Sequence, residues 1–113
     1  MKSIYIILSL VTFSFFTAEA AVTKKVTDTL RVEGNCDMCK ERIEAALDVK
    51  GITLATWDIE KKMLTVVYNP KKINLTQISK ICNSVGHDTA ISKASDKEFS
   101  TLHHCCDYRN NPE

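Results

Sequence analysis

The chain has 113 residues, with 15 basic and 14 acidic side chains and a formal charge of +1, a balance that gives no field to steer a polyanion. No basic run is interleaved with aromatic residues, so nucleic acid is not an expected partner. No serine–histidine–acid or similar nucleophile–base motif joins its side chains either, and an enzyme is not expected.

The N-terminus reads MKSIYIILSLVTFSFFTAEA. Lys2 supplies a basic start, residues 4–16 form an apolar run too short to span a bilayer comfortably, and Ala18-Glu19-Ala20 is an A-x-A cleavage pattern. Residues 1–20 are therefore predicted to be a signal peptide removed before Ala21, and the mature protein to be exported, either periplasmic or secreted. No cysteine follows the apolar run, so lipid modification is not expected. What remains is one small domain with one core. All five cysteines, Cys36, Cys39, Cys82, Cys105 and Cys106, lie in it, and an odd number cannot all pair within one chain. In a compartment that permits disulfides, close cysteines are a staple, a redox couple or a ligand set.

Val26, Leu30 and Val32 share one side of an alternating segment whose other side carries Thr27, Thr29 and Arg31, which predicts a strand over 26–32. Gly34 and Asn35 break it. Cys39, Ile43, Ala46 and Leu47 recur at helical spacing, with Glu41, Arg42, Glu44 and Asp48 opposite, and predict an amphipathic helix over 39–50 with Gly51 as its cap. Residues 52–59 and 63–68 alternate again and are joined by Glu60-Lys61-Lys62, short enough for a hairpin. Asn69-Pro70 stops the second of these strands. Asn74 with Gln77 forms a capping box for a second helix whose apolar side is Leu75, Ile78, Ile81, Cys82 and Val85, and Gly86 ends it. A short strand over 87–91 follows.

The predicted order is βαββαβ. Alternating direction places three connections at one end: the loop at 34–38, the hairpin at 60–62 and the turn at 86–87. The fold expected is α+β and ferredoxin-like, a four-stranded antiparallel sheet with two helices on one face. Residues 93–113 shift to polar composition and read as an appended tail carrying His103-His104-Cys105-Cys106.

Cys36 falls in the loop and Cys39 in the first turn of the helix. First-turn amides lack intrahelical partners and carry the positive end of the helix dipole, so both thiols should be acidic. Two thiolates at this spacing can converge on Cu(I), Hg(II), Zn(II) or Cd(II). The same spacing serves disulfide oxidoreductases, and a plain disulfide is the structural alternative; Gly34 and Asn35 argue for an exposed, flexible loop.

The run VEGNCDMCKERIEAAL, opening a helix after the first strand of a βαββαβ chain, resembles the heavy-metal-associated domain family. Copper metallochaperones, periplasmic mercury-binding proteins and the N-terminal modules of metal-transporting ATPases belong to it. The resemblance extends over residues 24–92, and GITLATWDIEKKMLTVVYNP is similar to the family's hairpin. It implies Cys36 and Cys39 as metal thiolates. Gly34 stands where the family commonly has a methionine that packs beneath the loop. Met38 reads as a side chain that packs near the site. His87, in the turn at the same end, is a candidate third ligand or thiolate partner, against the plainer expectation of a surface histidine. Cys105, Cys106 and His104 are further candidate ligands, since the tail is long enough to reach the loop and could complete a four-ligand site, bridge to the loop cysteines or bind metal alone. Cys82 is expected in the core. The function implied is an exported soft-metal carrier or scavenger, with Cu(I) favoured and Zn(II), Hg(II) or Cd(II) as alternatives. Its expected partners are a membrane metal transporter or another thiol-rich metal protein, or a second copy through a metal-bridged dimer. The alternative is a thiol–disulfide redox protein using the same pair.

Overall fold

Period-two alternation along three segments gives three antiparallel strands, and the register buries one side of each. The computed structural model describes residues 24–111; the expected signal peptide, its cleavage point and the last two residues lie outside the described residues. β1 (Val26–Arg31), α1 (Asp37–Ala46), β2 (Ile52–Asp58), β3 (Met63–Tyr68) and α2 (Leu75–Ser84) follow in chain order. β3 is central, antiparallel to both neighbours, with Leu64 opposite Leu30 on one side and Trp57 on the other.

The inward side chains of the sheet, Leu30, Trp57, Leu64, Val66 and Tyr68, share one buried cluster with Ile43 and Leu47 of the α1 side and Ile78 and Cys82 of α2. Each large apolar side chain fully buried there contributes about 1.5–3 kcal/mol. Asn74 caps α2 as expected: its side chain accepts from the Gln77 amide at 2.9 Å while the Gln77 side chain accepts from the Asn74 amide at 3.0 Å. α1 ends earlier than its periodicity suggested, at Ala46, and the chain turns through Gly51 at φ +100°, a conformation glycine adopts without steric penalty.

The expected fourth strand is reduced to a single bridge among the described residues. Val32 pairs with Thr89, flanked by hydrogen bonds from the Glu33 amide to Asp88 O (2.8 Å) and from the Ala90 amide to Arg31 O (3.0 Å). The ladder stops because Thr89 closes a turn on itself. Its Oγ1 accepts from the amides of Ile91 and Ser92, both at 3.1 Å, while the Asn83 side-chain amide and Ser79 hydroxyl of α2 hold Ser92. A side chain that satisfies the backbone locally competes with strand pairing.

The segment expected to be a polar tail is folded onto the domain. Ser95 and Glu98 form a second capping box that opens α3 (Asp96–Phe99), and a 3₁₀ turn follows at His104–Cys106. α3 packs against α2, and the 3₁₀ turn against α1. Two side chains anchor this lobe to the turn after α2. Tyr108 donates its hydroxyl hydrogen to Gly86 O (2.8 Å) and accepts from the Asp88 amide (2.9 Å). Arg109 pairs with both Asp88 oxygens (2.7 and 3.1 Å), donates to Ala94 O (2.8 Å) and lies 4.3 Å over the Phe99 ring. Gly86, at φ +98°, is pressed so closely by this lobe that a β-carbon would meet Glu98 O at 2.9 Å.

Candidate metal centre

The three connections expected at one end do meet there. The Lys62 ammonium, from the hairpin, donates to Gly34 O, and His87, from the turn after α2, hydrogen-bonds Glu33 O. Between them the loop delivers its two cysteines. Cys36 is the N-cap of α1, with extended backbone, and Cys39 is the third helical residue. Their sulfurs lie 3.2 Å apart.

The floor of the loop is Trp57. Its indole is fully buried, and its Nε1 donates to Val32 O at 3.0 Å. A β-carbon on Gly34 would stand 2.9 Å from the ring and 3.1 Å from Cys39 Cβ. An aromatic ring from β2 thus fills the space beneath Gly34, where the resemblance implied a methionine packed under the loop. The sequence places Trp57 on the inner side of a strand; its pairing with Gly34 is a tertiary fact.

The tail supplies a third sulfur. Cys106 Sγ is 3.1 Å from Cys36 Sγ, and the sulfurs of Cys36, Cys39 and Cys106 all lie within 4.8 Å of one another. Among the described residues no other group of three ligand-type side chains converges in this way. The remaining candidates are not in it. Cys105 is exposed, 3.9 Å from Cys106, with its thiol donating to Met38 Sδ at 3.3 Å. His104 is exposed on the 3₁₀ turn, facing a shallow depression shared with Phe99, Leu102, His103 and Asp107.

His87 is not a surface histidine. It is fully buried, stacked on Tyr108 with ring centroids 5.7 Å apart. Its Nδ1 lies 2.7 Å from Glu33 O, so Nδ1 carries a hydrogen and donates it, and in the neutral ring the lone pair is left on Nε2. That Nε2 is buried and has no partner among the described residues. Burial lowers the pKa of the ring, outweighing the Glu33 carbonyl that favours the charged form. His87 thus braces the base of the loop and stands outside the sulfur group.

The expectation of two acidic thiols in an exposed loop holds for one of them. Burial works against the Cys36 thiolate, but hydrogen bonds from Cys106 and Cys39 outweigh it and bring its pKa down to about 7. Cys39 is fully buried, and that burial raises its pKa despite the helix terminus. Cys106, 1% exposed, is raised by burial as well. The folded tail covers the loop only in part: Gly34 is buried and Asn35 and Cys36 half-buried, while Asp37 and Met38 stay exposed. Cys82 behaves as a core residue, with burial pushing its pKa up to about 12.

A scan against family models finds no match. Copper chaperone CopZ of Staphylococcus aureus (strain Newman) is 32% identical over 63 residues, which span 54% of this chain and 93% of the relative. The chain belongs to the heavy-metal-associated domain family. A solved structure described as CopZ metallochaperone is 30% identical, superposes with a TM-score of 0.55 and is matched over its whole length by 57% of this chain. The apo HMA domain of the copper chaperone for superoxide dismutase, at 15% identity and TM-score 0.54, shares the heavy-metal-associated fold; the match spans 65% of this chain and 72% of that one. An alignment of 63 residues cannot contain both Cys36 and Cys106, which stand 70 positions apart. The heavy-metal-associated core and the third sulfur are therefore not both matched by that relative.

Proposed function

We propose that this protein is an exported carrier of a soft metal ion, which it takes up at Cys36 and Cys39 and passes on by ligand exchange. The observation that carries the reading is the pair of sulfurs 3.2 Å apart at the N-terminus of α1, one part-exposed and one buried. Thiolates are soft donors, and the part-exposed Cys36 is the sulfur an incoming thiolate can replace first. The buried Cys39 holds the ion meanwhile. The copper chaperones among its relatives make Cu(I) the first ion to test, with Zn(II), Hg(II) and Cd(II) as competitors. The partner that fits is a membrane metal transporter or another thiol-rich metal protein; a metal-bridged pair of copies is a second arrangement. Export is supported by the apolar N-terminal run and its A-x-A pattern.

Native mass spectrometry of the reduced protein tests this. One equivalent of Cu(I) should bind to the wild type and be lost in Cys36→Ser/Cys39→Ser. The sulfur contact also suits a disulfide, so a redox role is the second reading. Metal-independent turnover in a disulfide-exchange assay, without metal uptake, would favour it.

A further inference from the structure

We infer that Cys106 is a third metal ligand, and that the Cys36–Cys39–Cys106 centre takes a divalent thiophilic ion in three-thiolate coordination in preference to Cu(I). This rests on the soft-metal reading of the Cys36–Cys39 pair and deepens it.

The third sulfur is held in place, not merely within reach. Cys106 is 1% exposed; Leu102 before it packs against the core cluster, and Tyr108 after it is bonded to the turn at Gly86. Its amide donates to His103 O and its carbonyl accepts from the Tyr108 amide, both at 2.8 Å. Tyr108 and Arg109, immediately after, are locked to Gly86 and Asp88. Moving Cys106 out of the site would mean breaking those buried contacts.

Spacing then discriminates between coordination numbers. At a common metal–sulfur bond of ~2.3 Å, the zinc–thiolate value, a linear two-coordinate ion needs sulfurs ~4.6 Å apart, whereas a trigonal one needs ~4.0 Å. The Cys36–Cys39 and Cys36–Cys106 separations are 3.2 and 3.1 Å, so the trigonal arrangement asks for the smaller opening of each pair.

Charge points the same way. Three thiolates around Cu(I) leave two negative charges in a centre where Cys39 is 0% and Cys106 1% exposed. A divalent ion leaves one. Uncompensated charge in a water-poor site is costly, and the cation hydrogen-bonded to this loop is the single ammonium of Lys62 on Gly34 O. One excess negative charge is therefore less costly to hold there than two.

X-ray absorption of the reduced wild-type protein loaded with Cd(II) counts the bound sulfurs directly, and three are expected. Loss of a second-shell partner already weakens metal binding ~10–100-fold, so Cys106→Ser should weaken Cd(II) by at least ~100-fold while Cu(I) falls less than ~10-fold. Cys106→Ala serves as the second variant should serine disturb the buried site, and the wild-type sulfur count needs neither. Two or four sulfurs on Cd(II) in the wild type, an unchanged Cd(II) affinity in both variants, or an equal loss for Cu(I) would overturn the inference and leave the Cys36–Cys39 carrier standing. Failure of the reduced wild type to take up either ion would sink both.

Discussion

Replacing Gly34 by alanine adds one methyl group beneath the loop and tests whether Trp57 is its floor. The backbone at Gly34 is not in the left-handed region, so alanine is conformationally admissible there. On chain entropy alone the change should stabilise the protein by about 0.4–1 kcal/mol. The new β-carbon would stand 2.9 and 3.0 Å from two Trp57 ring carbons and 3.1 Å from Cys39 Cβ. Neither neighbour is the loose end of a long side chain. The indole is fully buried and pinned by its hydrogen bond to Val32 O, and Cys39 Cβ is fixed to α1. Overpacking of this kind costs about 1–3 kcal/mol and should reverse the sign of the entropic gain. Urea unfolding of the reduced protein should therefore show Gly34→Ala destabilised by roughly 1–2 kcal/mol. In a Trp57→Leu background, itself destabilised by the cavity, the same alanine should cost distinctly less, because the ring contacts are gone and only the Cys39 Cβ contact remains. If Gly34→Ala is stabilising in the wild-type background, or costs the same in both, the ring does not dictate the glycine.

The same reasoning makes other features testable. Cys36, with a pKa of about 7, should be alkylated by iodoacetamide at a rate that rises through pH 7 and then levels, while Cys82, at about 12 and buried, stays unlabelled; peptide mapping that finds Cys82 modified first would contradict the assignment. Burial alone would raise the Asp88 pKa, but the hydrogen bond from Arg109 and the Ala94 amide outweigh it and hold the carboxyl below its ordinary value. A depressed folded pKa means that the contribution is complete above the unfolded value of about 4 and is lost as the pH falls through the folded one. Arg109→Ala should flatten that acid limb of the stability curve, and an unchanged limb would count against the pair. Tyr108→Phe strips partners from the buried Asp88 amide and Gly86 carbonyl and should cost ~2–4 kcal/mol in urea unfolding, with Cys106 becoming reactive to thiol reagents; a loss below ~0.5 kcal/mol would mean that the tail is not anchored there.

Much of the fold was legible in the residues because it depends on local pattern. Alternation marked three strands, three- and four-residue spacing marked two helices, and Asn74-x-x-Gln77 marked a cap that forms as written. Chain order and alternating direction were enough to bring the 34–38 loop, the 60–62 hairpin and the 86–87 turn to one end, where Lys62 and His87 bond the backbone at Gly34 and Glu33. What periodicity could not carry was the competition at Thr89, where a side-chain turn ends the fourth strand after one bridge, and the fate of a polar segment whose capping box and single tyrosine–arginine pair are too brief to register as a pattern.

The residues alone therefore determined the βαββα frame and a thiol pair at a helix start, because hydrophobic spacing and chain direction act over a few neighbours at a time. Only the tertiary structure decided that the pair is half buried, that its floor is an indole, and that a third sulfur 70 positions away stands 3.1 Å from Cys36. Those facts depend on Tyr108 and Arg109 meeting Gly86 and Asp88 across the fold, a contact that no local spacing encodes.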